Sequence, residues 1–254
     1  MSPLDPPAEA PSPGARPHGA LHVDTLDALG SRLASGEVAP GEVLTLDAIR
    51  REHGVSLPVA REAVRVLESM GMVVSRRRVG VTVQDPSDWN VFDPRLVRWR
   101  LEGSGRTEQL LAISELRQGF EPVAARLAAD RATPEQCRAM AQATTDMAVH
   151  GRTGDLEAYL LADVAFHRTL LDASGNDMVR ALAGLVEEVL AGRTHHDLMP
   201  ARPNPTAIAL HDEVARCVRT GDGAGAEHAM RAIIDEAAGA MTEQAATDRA
   251  RARE

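Results

Sequence analysis

The chain of 254 residues contains no lysine, and all 28 of its basic residues are arginine. We read this as a compositional bias of the genome and draw no chemistry from it. Cysteine is almost absent: Cys137 and Cys217 stand far apart, outside any Cys-x-x-Cys pair. That spacing excludes a disulfide framework and a cysteine-based zinc site, and it fits a reducing cytoplasm. No apolar run approaches the roughly 18 residues of a membrane span, so no membrane partner is expected. The first residues also lack the charged-then-apolar pattern of a secretion signal. What remains is an ordinary globular composition, 44% hydrophobic and 26% charged, long enough for one large domain or two smaller ones.

Positive charge is scarce too. The net charge is −9, which by itself argues against a nucleic-acid partner. Its distribution argues otherwise. Between Gly54 and Val83 five arginines (Arg61, Arg65, Arg76, Arg77 and Arg78) face two glutamates, a local excess of +3 in an acidic chain.

Residues 1–19 are rich in Pro, Ala and Gly and predict a disordered tail. Leu21, Leu26, Leu29 and Leu33 predict a first helix, which Gly36, Pro40 and Gly41 end. Thr45 is the natural N-cap of a second helix over 46–53, with Gly54 as its C′ glycine. Ser56 caps a third, with Pro58 in the first turn, where its missing N–H costs little. Val59, Ala63, Val66, Leu67 and Met70 share one face of that helix, Arg61 and Arg65 lie away from it, and Gly71 closes it. Short strands over 72–75 and 80–83 then flank an arginine-rich turn. Residues 85–105 read as a connector. From 106 to 242, helical periodicity is broken at Thr133-Pro134, Gly154-Asp155, Gly175-Asn176, Asn204-Pro205 and Gly221-Asp222, predicting an all-α bundle of about six helices. The last residues, 243–254, read as a frayed end. The fold class is therefore mainly α: a winged helix-turn-helix over 20–84 and a helical bundle over 106–242.

In such a winged domain the third helix enters the major groove. Arg61 and Arg65, four residues apart, can meet guanine edges or phosphate. Ser56 and the helix N-terminus can donate to a phosphate, with Leu57 next to them at the DNA-facing end of the helix. Arg76, Arg77, Arg78 and Gly80 form the wing. The alternative is a solvated helix face and a basic hairpin without function.

At this point a family resemblance becomes clear. SGEVAPGEVL (35–44), the GVS…P…REAVRVLESMGMV run (54–73) and RVGVTV (78–83) resemble the DNA-binding domain of the GntR family of bacterial transcription regulators. Members often carry arginine after the Ser of the turn; here it is Leu57. Arg61 occupies the family's central DNA-contacting arginine position. Asp47, early in the second helix, either bonds cytosine N4, orients Arg61, or is simply a first-turn acid favoured by the helix dipole.

The second half resembles the FadR branch of that family, with its helical FCD ligand-binding domain, through ELRQGFEPVAARLAA (115–129), DVAFHRTLLDASGN (163–176) and HDEVARCVRTGDGAGAEHAM (211–230). The WNVFDPRLVRWRLEG segment (89–103) is similar to linkers of members that sense sugar acids. The resemblance implies a divalent metal, Zn, Ni or Mn, held by Asp163 and His167, which share a helix face, and by His211. Ile233 stands where the fourth ligand is expected, so the set is incomplete. His228 and the His195-His196 pair are expected to face elsewhere. The resemblance also implies that Arg117 holds an effector carboxylate; an i,i+4 pair with Glu121 is the plain alternative.

These readings converge on a cytoplasmic transcription regulator, a homodimeric repressor on a palindromic double-stranded operator, released by a small organic acid such as gluconate or galactonate. A DNA-binding protein with a purely structural helical half is one alternative. A metal-dependent enzyme built on Asp163, His167 and His211 is a more remote one, with no catalytic base at motif spacing.

Overall fold

The computed structural model describes the backbone of residues 18–196 and 198–251, with side chains over 23–196 and 198–239. It divides into two compact units, residues 1–89 and 90–254. Of the N-terminal tail expected over 1–19, residues 1–17 lie outside the described residues, and 18–19 already begin a helix. At the other end the expected frayed segment is helical through Arg251, and 252–254 lie outside.

In the first unit, α1 (His18–Ala34), α2 (Leu46–Glu52) and α3 (Leu57–Ser69) form a three-helix cluster, with α3 packed on both others. Thr45 caps α2 by accepting the Ala48 N–H at 3.0 Å. Ser56 takes the N-cap backbone position of α3, but its side chain makes no capping bond. The buried stripe of α3 is Ala60, Ala63, Val64 and Leu67, continued by Met70, against Leu29, Leu33 and Ile49. Val59 and Val66, expected on the same face, are half-buried. Helical periodicity places the stripe to within about one residue.

The sheet has three strands where two were expected. β2 (Val73–Arg76) and β3 (Gly80–Val83) form the hairpin, with Val74 opposite Thr82, and β1 (Val43–Leu44) pairs antiparallel along the other edge of β3. Two residues are too few for an alternating pattern, so β1 exists only through its pairing. Gly80, at φ 128°, makes that pairing possible: a Cβ there would lie 2.6 Å from the Leu44 carbonyl oxygen. Gly80 thus has a structural reason for being glycine, independent of any contact with DNA.

The second unit holds α4 (Pro94–Glu102), α5 (Arg106–Arg131), α6 (Pro134–Thr153), α7 (Leu156–Ala173), the four-residue α8 (Asp177–Arg180), α9 (Ala183–His195), α10 (Pro205–Thr220) and α11 (Gly223–Arg251). The segment 85–105, expected as a connector, carries α4. Asp93 caps it, Pro94 opens it, and Val97 and Leu101 are buried against α5 and α9. Each break signal read from the sequence falls at a helix boundary. Thr133 and Gln136 form a reciprocal capping box at the start of α6. Gly154 and Gly221 close α6 and α10 in left-handed conformations, as C-terminal glycines commonly do. Asn176 and Asn204 cap α8 and α10. α11 packs along α5 and α10, and Met140, Phe166, Leu170, Val214, Met230 and Ile234 fill the space between helices. No described helix is long and apolar enough to cross a membrane.

Candidate nucleic-acid interface and a buried acid-histidine cavity

The outer face of α3, the start of α2 and the tip of the hairpin border one concavity of about 520 Å³. Arg61, Arg76, Arg77 and Arg78 line it, with Asp47 as its single acidic residue, and Leu57 and Gly80 complete the rim. The sequence's two helix arginines are not equivalent here. Arg61 is exposed and engages no acid among the described residues, whereas Arg65 is held by Glu62 at 2.9 Å. Asp47 pairs with Arg50 at 3.5 Å, not with Arg61. That favours the first-turn reading of Asp47 over the orienting one. Glu68 accepts the Ser75 N–H at 2.5 Å and fastens the hairpin to α3. Ser56 and Leu57 are exposed at the start of α3, the hydroxyl of Ser56 uncommitted.

The hairpin tip is strained. Arg78 is the only described non-glycine residue with positive φ, 66°, in a turn closed by the Val79 N–H on the Arg76 carbonyl. A non-glycine residue there costs about 1–3 kcal/mol. Arg78→Gly should therefore stabilise the first unit while weakening its hold on DNA. Paired melting curves and DNA titrations check this; a glycine variant that binds DNA as well as the parent contradicts a contact from Arg78.

The second unit encloses a cavity of about 270 Å³ among α5, α7, α9, α10 and α11. Asp163 and His167, one turn apart on α7, meet His211 from α10. His167 Nε2 lies 3.4 Å and His211 Nε2 3.3 Å from Asp163 Oδ1. All three residues are buried. Neither approach is aligned as a hydrogen bond, and Asp163 Oδ1, His211 Nε2 and His167 Nδ1 are all buried without a hydrogen-bond partner. The other ring nitrogens face acceptors: His211 Nδ1 sits 2.7 Å from the Ala207 carbonyl and His167 Nδ1 2.9 Å from Glu121 Oε2. In His211 a donor at Nδ1 leaves the Nε2 lone pair turned toward Asp163, the arrangement that orients metal-ligating histidines. The donor atoms of the three residues all lie within 4.8 Å of one another. Ligands about 2.0–2.2 Å from a tetrahedral ion stand roughly 3.3–3.6 Å apart. The residues therefore fit a divalent cation. Ile233, in place of a fourth protein ligand, lines the same cavity. His228 is exposed, and His195 faces Glu157 at 3.4 Å, away from the cluster.

Below the cluster Arg117 and Glu121 form a fully buried two-point pair on α5, Nε to Oε1 at 2.5 Å and Nη2 to Oε2 at 3.2 Å. Arg117 lines the cavity as expected, yet its guanidinium is already engaged by Glu121. Burial opposes ionisation of Glu121, but the guanidinium and His167 outweigh it and hold the carboxyl at about 2. Burial likewise disfavours charge on Asp163, and the two imidazoles overcome it and lower its pKa. The His167 imidazole, despite burial, is raised by Glu121 and Asp163.

Two residues that the sequence reading passed over also line this space. Arg193 on α9 is nine-tenths buried, its Nε lacks a partner, and burial lowers its pKa. Glu236 on α11 accepts the Asn204 amide at 2.9 Å. No motif announces Arg193: one arginine near the end of an apolar helix looks like a snorkelling surface residue.

Comparison with known proteins agrees with both halves. Residues 23–83 match the family described as bacterial regulatory proteins, gntR family, and residues 112–236 match the FCD domain. The galactonate operon transcriptional repressor of Escherichia coli is 27% identical over 208 residues, 81% of this chain and 90% of its own length. LutR of Bacillus subtilis, a helix-turn-helix transcriptional regulator, is 29% identical over 80% of this chain and 92% of its own. The probable D-xylose utilization operon repressor of Paenarthrobacter nicotinovorans is 26% identical over 80% and 81%. Among solved structures, E. coli McbR/YncC shares the fold with TM-score 0.52 at 16% identity, covering 88% of this chain and 98% of that one. With a helix-turn-helix and wing of the first kind joined to a helical bundle of the second, the chain belongs to the gntR family of bacterial regulatory proteins, in its FCD-bearing branch, and is a DNA-binding transcription regulator.

Proposed function

We propose that the chain is a cytoplasmic repressor that pairs with a second copy on a palindromic operator and leaves it when a small hydroxylated organic acid fills the α-helical cavity. The observation that carries this reading is the coexistence of an arginine-lined concavity, with Arg61 uncommitted, and a separate buried cavity lined by Arg117, Asp163, His167 and His211. Its volume falls just below the roughly 300–1,000 Å³ of drug-sized pockets, which suits a sugar acid and not a long acyl chain. The name of one relative, the galactonate operon repressor, points to the same chemistry. Arg61 meets base edges, Ser56, Leu57 and Arg65 border them, and Arg76, Arg77 and Arg78 hold backbone; Arg117 lines the cavity with its guanidinium engaged by Glu121. No residue is assigned a catalytic role.

A divalent cation, Zn, Ni or Mn by its nitrogen and oxygen donors, fits between Asp163, His167 and His211. Bound there, it supplies a positive centre toward which an acid's oxygens are drawn. The residues do the positioning: the Ala207 carbonyl fixes the His211 imidazole, the Glu121 carboxylate stands 2.9 Å from His167 Nδ1, and Ile233 leaves one side of the cluster to the ligand. Added zinc at about one hundred times its Kd should stabilise the second unit by about 2.7 kcal/mol. His211→Ala should abolish that gain. A melting temperature that zinc leaves unchanged in the parent, after stripping with chelator, contradicts the metal site.

Release is a coupling between two sites, typically about 1–3 kcal/mol. It requires the acid to favour one of two states of the dimer. Titrating DNA-bound protein with the acid tests it, and acid that binds without altering DNA affinity overturns the coupling.

A further inference from the structure

We infer that Arg193, and not Arg117, is the residue that anchors the carboxylate of the acid; this rests on the reading that the cavity takes an organic acid. Arg117 is already neutralised by a two-point contact with Glu121. Arg193 is the other arginine lining the cavity, is nine-tenths buried, and makes no ion pair within 4 Å among the described residues. Its Nε is a buried donor with nothing to donate to. A buried cation in that state is costly unless something else pairs with it, and a guanidinium fork matches a carboxylate at two points.

The groups around Arg193 define what fills the gap. Asp163, Glu236, Tyr159 and Arg117 share the cavity lining with it, and neither carboxylate forms an ion pair with it. Asp163 faces the two imidazoles. Glu236, held by the Asn204 amide, offers an acceptor in the same cavity lining. An acceptor carboxylate suits a hydroxyl, which can donate to it, and rejects a second anion. The ligand class is therefore a monocarboxylate bearing hydroxyls: the carboxylate on Arg193, a hydroxyl on Glu236. A dicarboxylate would set its second charge against Glu236.

The test compares each acid with its own amide, which keeps the shape and removes the charge. Calorimetric titrations of the full chain as purified use L-lactate, D-gluconate, D-galactonate and the dicarboxylate malate, with the amides of the first three. At least one monocarboxylate should bind the parent and be preferred over its amide. Arg193→Gln should weaken that acid about tenfold to a hundredfold, the usual range for a hydrogen bond to a charged group, and should erase the preference for acid over amide. Arg193→Lys, which keeps a charge, should retain the preference with weaker binding, and it carries the test if the glutamine variant fails to fold. The double variant Arg117→Met, Glu121→Met, which removes that pair without stranding a buried charge, should retain the preference. An acid that binds parent and folded Arg193→Gln equally overturns the anchor and leaves the acid-responsive reading standing. No acid binding to the parent at all overturns both, and tighter binding of malate than of every monocarboxylate overturns the assigned class.

Discussion

Glu121→Ala should destabilise the helical unit by about 3–5 kcal/mol, the cost of breaking a buried ion pair from one side. Arg117 is 1% and Glu121 0% exposed, and the two are joined by both guanidinium contacts. Without Glu121 the Arg117 charge stays buried with no carboxylate in contact, and His167 loses the acceptor beside Nδ1. The cost lies in the uncompensated charge more than in the lost bond. The double variant Arg117→Met, Glu121→Met removes both charges and keeps much of the volume, so it should be less destabilised than Glu121→Ala alone. Urea unfolding followed by circular dichroism checks the order. If the double variant costs more than the single one, the pair is a net source of stability and the cost has been misassigned. Zinc binding should weaken in both variants, because the orientation of His167 loosens.

Arg61→Ala should cost about 1–3 kcal/mol of specific DNA binding, the value of a good two-point contact to a base. Arg65→Ala should cost less, because Glu62 already holds that guanidinium at 2.9 Å and must release it first. Loss of Arg76 or Arg77 should weaken all duplexes alike and lower the salt slope by about one unit each, as phosphate contacts do. Anisotropy titrations over a range of salt separate these behaviours. An Arg61→Ala protein that keeps both affinity and sequence preference contradicts the placing of α3 in the groove.

Most of the first unit was legible because its signals are local. Thr45, Gly54, Pro58 and Gly71 punctuate the helices, and the arginines cluster within one short segment. Strand β1 was not legible, since two residues carry no period. The exact buried stripe of α3 was off by a residue, since Ala60 and Val64 are buried where Val59 and Val66 are only half-buried. In the helical unit, caps and glycines marked the boundaries, and α4 was hidden because its four charged residues and two prolines nearby resemble a connector. Asp163, His167 and His211 were found through a spacing and a resemblance. The engagement of Arg117 by Glu121 was visible as a possibility, since i,i+4 residues share a face. Arg193 was not, because burial of one arginine in a cavity depends on five helices at once.

Anisotropy of a labelled duplex selected from random DNA by the full chain, titrated with protein and then with the monocarboxylates above, asks most directly whether one molecule joins sequence-read DNA to an acid-filled cavity. Tight, sequence-dependent binding that one acid reverses in the parent, and that the same acid fails to reverse in Arg193→Gln, is the predicted result. Binding that no acid reverses contradicts the coupling, and failure to select any sequence contradicts the role of Arg61 and the wing.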